Sequence, residues 1–157
     1  MAILVDNQQN RHRIDPQAIQ QTAQDALDAL ACSEAELSIV CTDDNGIQRL
    51  NQRYLNRNHP TNVIAFPMRE GDFANIAPQL LGDVVISLDT ATAEAATAGL
   101  GANERFVQLL VHGILHLLGY DHENDPRQAA RMEAKSQWLL EKLAAHNRRN
   151  QIGPLIV

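Results

Sequence analysis

The stretch His112-Gly-Ile-Leu-His116-Leu-Leu-Gly119-Tyr-Asp-His122 decides how the rest of the chain is read. In a helix, residues four apart share a face, so His112 and His116 present two imidazoles about one turn apart. Gly119 can adopt the left-handed conformation that ends a helix, which turns the next residues back toward the same face. His122 arrives there as a third nitrogen. Three neutral imidazoles without a fourth protein ligand form the pattern of a catalytic zinc site, which keeps one position for water, rather than of a closed structural site. Nickel or another divalent ion would accept the same three donors.

Phe106, Val107, Leu109, Leu110, Val111, Ile114, Leu115, Leu117 and Leu118 surround the pair, so this helix is apolar almost all round and is expected to be buried. A lone histidine in such a setting is ordinarily a hydrogen-bonded core residue. Two imidazoles and a third behind a helix-ending glycine favour ligation, because a metal satisfies polar groups that are costly to bury.

Working outward, the metal helix spans about 103 to 118. An Ala/Thr-rich helix precedes it, capped by Asp89 or Thr90 and stopped at Gly99. Residues 81–87, continuously apolar, read as a central strand, and Val63-Ile64-Ala65-Phe66-Pro67 as a short one. Between them, 68–79 is a long polar loop. Asp43-Asp44-Asn45 caps a helix over 44–56 whose Ile47, Leu50 and Tyr54 face inward. The alternation in 36–42 makes a strand. Asp15-Pro16 opens an amphipathic helix over 16–31, and 2–6 alternate weakly as a first strand. The last helix begins at Asn124-Asp125-Pro126, with Ala129, Met132, Leu139, Leu140 and Leu143 inward and Trp138 at a flank. Met132 reads as a core residue. From His146 onward the chain reads as a tail with little pattern.

At 157 residues, 45% hydrophobic and 20% charged, the chain fits one globular α/β domain. Its longest apolar run, Phe106 to Tyr120, is too short and too interrupted to cross a membrane. The first residues lack the basic region and cleavage site of a signal peptide, so a cytoplasmic location is expected. Cys32 and Cys41 have neither CxxC spacing nor a secretory setting and read as reduced thiols. The net charge of -6 argues against indiscriminate nucleic-acid binding. Locally the balance reverses: Arg49, Arg53 and Arg57 recur every four residues and would stack three guanidiniums along one side of a helix. Such a stripe is either a solvated face or a track for phosphates, which arginine forks match in pairs.

Three separated motifs together resemble the YbeY endoribonucleases, the bacterial ribosomal-RNA maturation factors. They are the His112 to His122 stretch, Pro60-Thr61-Asn62-Val63-x-x-Phe66-Pro67, and Leu81-Gly82-Asp83-Val84-x-Ile86. The resemblance implies a single α/β domain, a small mixed sheet of about four strands packed with about five helices. It further implies a metal-dependent endoribonuclease, specific for single-stranded RNA, acting on ribosomal RNA precursors and in ribosome quality control, beside the ribosome or a small-subunit ribosomal protein. His112, His116 and His122 match the family's zinc ligands, and His112 is the first candidate catalytic residue. The family carries an arginine directly after the tyrosine of Asn51-x-x-Tyr54; here that position is Leu55. Arg57 or Arg53, close by, is expected to take over the phosphate contact. In the last helix Ser136 stands where relatives are often acidic.

Two other readings compete. The spacing HxxxHxxGxxH is also that of metzincin peptidases, but those use a glutamate directly after the first histidine as base, and here that position is Gly113. A non-catalytic ribosome assembly factor with an organising zinc is disfavoured by the three-ligand count. For a nuclease, Asp121 or Tyr120 would orient the ligands from behind.

Overall fold

The chain's strands are β1 (Ile3–Asn7), β2 (Glu36–Thr42), β3 (Val63–Pro67) and β4 (Leu80–Ser87). The helices are α1 (Pro16–Ala29), α2 (Asp44–Leu55), α3 (Leu88–Ala98), α4 (Ala102–Leu117) and α5 (Pro126–Asn150). These come from a computed structural model that describes residues 3–68, 80–120 and 125–157. The expected loop over 68–79 therefore lies outside the described residues except at Met68.

The strands form one mixed sheet in the order β1-β2-β4-β3. β1 and β2, and β2 and β4, pair in parallel, while β3 runs antiparallel to β4 with Val63 opposite Ile86 and Pro67 opposite Gly82. The continuously apolar β4 is interior, as a strand covered on both faces should be. The weakly patterned β1 and the proline-ended β3 form the edges. Alternation divides the core between the two faces. Leu37, Ile39, Cys41, Val84 and Ile86 join the main core with α1, α4 and α5. Val40 and Val85 point to the other face, where Ile47, Leu50, Ile64 and Phe66 cover them.

Helix ends follow local chemistry. Asp15 caps α1 by accepting from Gln17 N and Ala18 N, and Pro16 takes the first helical position. α1 stops at Ala29 rather than near 31, because Ala31 turns left-handed at φ 59°. The cap of α3 is Ser87, accepting from Thr90 N, in place of Asp89 or Thr90. β4 thus passes directly into α3. Asp89 instead reaches across to the backbone N–H of Asp44, to His12 and to Arg11.

Two further expectations are corrected. Tyr54 is 57% exposed, while the buried positions on its helix are Ile47 and Asn51. With only one stripe of α2 against the sheet, the Tyr54 ring is left to pack edge-on against Phe66. The presumed tail is structured: α5 continues to Asn150, Leu155 is fully buried, and Ile156 bridges to Ile14. Asn103 Oδ1 accepts from Leu155 N, a long-range latch invisible to local periodicity. Met132 is a core residue and Trp138 sits at a flank, as expected. Cys41 is buried, which pushes its thiol up to about 12, and Cys32 is partly buried. Among the described residues no helix is long and apolar enough to cross a membrane.

Candidate active site

α4 carries the histidines and its sequence explains its seating. Eight of its residues are buried, including Phe106, Leu110, Ile114 and Leu115. Gly113 faces the sheet so closely that a Cβ there would lie 2.6 Å from Val84 Cγ1 and 3.1 Å from its Cγ2. The missing side chain lets the helix press onto β4 and sets the depth of the residues on either side of it. The C-terminus closes as the glycine predicts. Gly119 sits at φ 99°, Tyr120 N donates to Leu115 O and Gly119 N to His116 O, both at 3.0 Å. That pair of bonds is the Schellman arrangement, which ends the helix at Gly119 and Tyr120.

His112 and His116 stand side by side, their ring centroids 4.6 Å apart and their planes at 71°. A ring centroid lies about 3 Å from an ion bound at 2.0–2.1 Å through its nitrogen. Two rings at this separation can therefore share one ion, so the pair fits the borderline divalent metals that imidazole suits. Among the described residues no three His, Cys, Asp or Glu side chains gather as a metal cage. The third expected ligand, His122, and the helper Asp121 lie outside the described residues.

His112 is shared by two hollows. One, about 290 Å³, is lined by His112, Gly113 and His116 on α4 and by Asn51, Leu55, Arg57, His59 and Thr61 opposite. The other, about 360 Å³, lies toward α5 and includes Asn62, Arg105, Gln108, Glu133, Ser136 and Gln137. Val63 lines both, so together they form one groove with the first imidazole at its waist.

The arginines separate. α2 ends at Leu55 because Asn56 adopts the left-handed conformation at φ 56°, so Arg57 is off the helix and the expected three-arginine stripe is broken. Arg57 turns into the groove. Arg53 stays on α2 with its guanidinium 5.3 Å from the centre of the exposed Tyr54 ring. Asn51 arranges this turn: its carbonyl accepts from Arg57 N at 3.2 Å and its side-chain amide donates to His59 O at 2.9 Å. Leu55, where a family arginine would stand, also lines the groove.

Arg105, Gln108, His112 and His116 recur at i, i+3, i+7 and i+11, one helical face. A single cation seven residues before His112 on an otherwise apolar helix was the available signal for Arg105, and Gln108 completes the same row. Arg105 is neutralised by Glu94, which accepts from its Nε and Nη2 at 3.1 and 3.0 Å. Asn62 donates to the same carboxylate.

Sheet, helix and groove define an α/β protein in which two neighbouring imidazoles, His112 and His116, floor an open groove that Arg57 also lines. Residues 4–144 match the model of the family described as endoribonuclease YbeY. The chain is 45% identical over 140 residues to the endoribonuclease YbeY of Syntrophus aciditrophicus, covering 88% of each chain. To that of Geobacter sulfurreducens it is 47% identical over 138 residues, 87% of this chain and 92% of the relative. Its fold is similar to the solution structure of TM1509 from Thermotoga maritima, with a TM-score of 0.64 at 20% identity, covering 94% and 93% of the two chains. The chain belongs to the endoribonuclease YbeY family.

Proposed function

We propose that this endoribonuclease hydrolyses single-stranded RNA at the groove between α4 and the 56–62 turn, with one zinc ion, or another divalent metal, held by His112, His116 and His122. The observation that carries the reading is the convergence of Arg57 on the same hollow as His112 and His116. Arg57 binds and orients a phosphate, its fork matching two phosphate oxygens. When bound, the ion supplies Lewis acidity toward the phosphoryl group and an activated water. Asn51 fixes the turn that carries Arg57, and the depth set by Gly113 keeps the imidazoles at the groove floor. The natural substrate is ribosomal RNA precursor in the cytoplasm, met beside the small ribosomal subunit.

The peptidase alternative loses further ground at Gly113. The position that would hold the glutamate base is pressed against β4, where a Cβ would lie 2.6 Å from Val84 Cγ1, so any side chain there has to displace the valine. The test is incubation of purified protein with single-stranded RNA, duplex RNA and casein, with and without chelator. Cleavage of single-stranded RNA alone, abolished by chelator and restored by zinc, is the expected result. Casein cleavage, or RNA cleavage indifferent to chelator, overturns the reading.

A further inference from the structure

The two halves of the groove differ in chemistry. On the side of the 56–62 turn stand Arg57 and His59. On the α5 side the one cation, Arg105, is tied to Glu94, and its Nη1 donates to Gln108 Oε1 at 2.8 Å. Glu133 then leaves that side with a formal negative charge, over a floor of Leu109 and Leu140. A phosphate is repelled there. A flat, uncharged group with apolar faces and hydrogen-bonding edges is not, and about 360 Å³ is at the small end of ligand pockets, which span about 300–1,000 Å³.

We propose that this α5-side hollow is a nucleobase subsite that prefers guanine, a reading that rests on the nuclease function above. Single-stranded RNA is read by splaying a base from the strand and hydrogen-bonding its Watson–Crick edge. Gln137 Nε2 donates to Glu133 Oε1 at 3.2 Å, one helical turn along the exposed side of α5. That bond directs the remaining carboxylate oxygen of Glu133 and the amide oxygen of Gln137 outward as acceptors. Because Gln108 Oε1 is occupied by Arg105, its NH₂ is the end left to donate. The edge that answers two acceptors beside a donor is that of guanine: N1–H and the N2 amino group face Glu133, and O6 faces Gln108. Cytosine and adenine each bring one amino group, and uracil turns two carbonyls toward the carboxylate. With a phosphate on Arg57 and a neighbouring base against Glu133, the scissile bond is drawn across His112.

The test is fluorescence anisotropy of labelled five-residue oligouridine, and of versions carrying one guanine, cytosine or adenine at each position, in EDTA so that nothing is cleaved. One guanine position is expected to bind about tenfold more tightly than uridine there. In Glu133→Ala that ratio falls to within about twofold, and Gln137→Ala reduces it in part. Equal binding of all the oligonucleotides by the parent protein, or an unchanged guanine ratio in Glu133→Ala, overturns the subsite while leaving the nuclease reading in place. Failure of every oligonucleotide to bind, together with no RNA cleavage when zinc is supplied, overturns both.

Discussion

The backbone N–H of Arg57 donates to the carbonyl of Asn51 at 3.2 Å, so the arginine that turns into the groove is held by a residue buried in the interior. Asn51 is 1% exposed and its side chain also donates to His59 O. Asn51→Ala leaves the His59 carbonyl without its donor, which costs about 1–3 kcal/mol by urea unfolding. We expect its RNA cleavage to fall through KM, since the turn that carries Arg57 loses its side-chain anchor at His59 while the backbone bond from Arg57 N stays. A fall confined to kcat would argue that Asn51 acts elsewhere.

Arg57 and Arg53 are separable by salt. Arg57→Ala should lower RNA affinity uniformly across sequences and reduce the slope of log affinity against log salt by about 1. Arg53→Ala, whose guanidinium lies over Tyr54, should leave that slope unchanged. A titration in which both variants keep the parent slope removes Arg57 from the phosphate contact.

His112→Ala, His116→Ala and His122→Ala should each lower the bound metal well below one ion per chain and abolish chelator-sensitive RNA cleavage. Metal analysis beside circular dichroism separates the loss of a ligand from the loss of fold. Full metal occupancy in His122→Ala would exclude it from the ligand set.

Gly113→Ala places a methyl against Val84, an overpacking that costs about 1–3 kcal/mol. Val84→Ala makes room, so the double variant should be more stable than the sum of the singles, a coupling read by a thermodynamic cycle. Strict additivity would show that α4 accommodates the methyl by shifting.

Asp89 gives the stability a pH signature. Desolvation pushes its carboxyl up, but the bonds from Asp44 N and His12 and the charge of Arg11 outweigh it, and the net shift is below the ordinary 3.8. A group whose folded pKa is depressed stabilises the fold above its unfolded value and loses that contribution as pH falls through the folded one. Asp89→Asn should therefore be less stable than the parent at neutral pH, with the difference vanishing in acid below the ordinary value. A difference independent of pH would mean that the hydrogen bonds alone matter.

Much of this was legible locally. The bounds of β2 and β3 follow from alternation and from Pro67, and the C-terminus of α4 from Gly119, because these are set by residues adjacent in sequence. What escaped is decided by tertiary contact. Tyr54 keeps helical spacing with Ile47, yet it meets only the ring of Phe66 at the sheet's edge strand and stays exposed. Arg57 fits a four-residue repeat, yet Asn56 ends the helix before it. The Asn103 latch on Leu155 joins residues far apart in sequence. In the site, the two histidines were plain from spacing, whereas the α5-side hollow depends on where a separate helix lands beside Arg105 and Gln108.

The bare backbone at Gly113 reaches beyond packing. A carboxylate set beside His112 at this position would first have to displace Val84, so that change calls for a second one in β4. The groove's floor and the strand beneath it are therefore coupled positions, to be changed together or not at all.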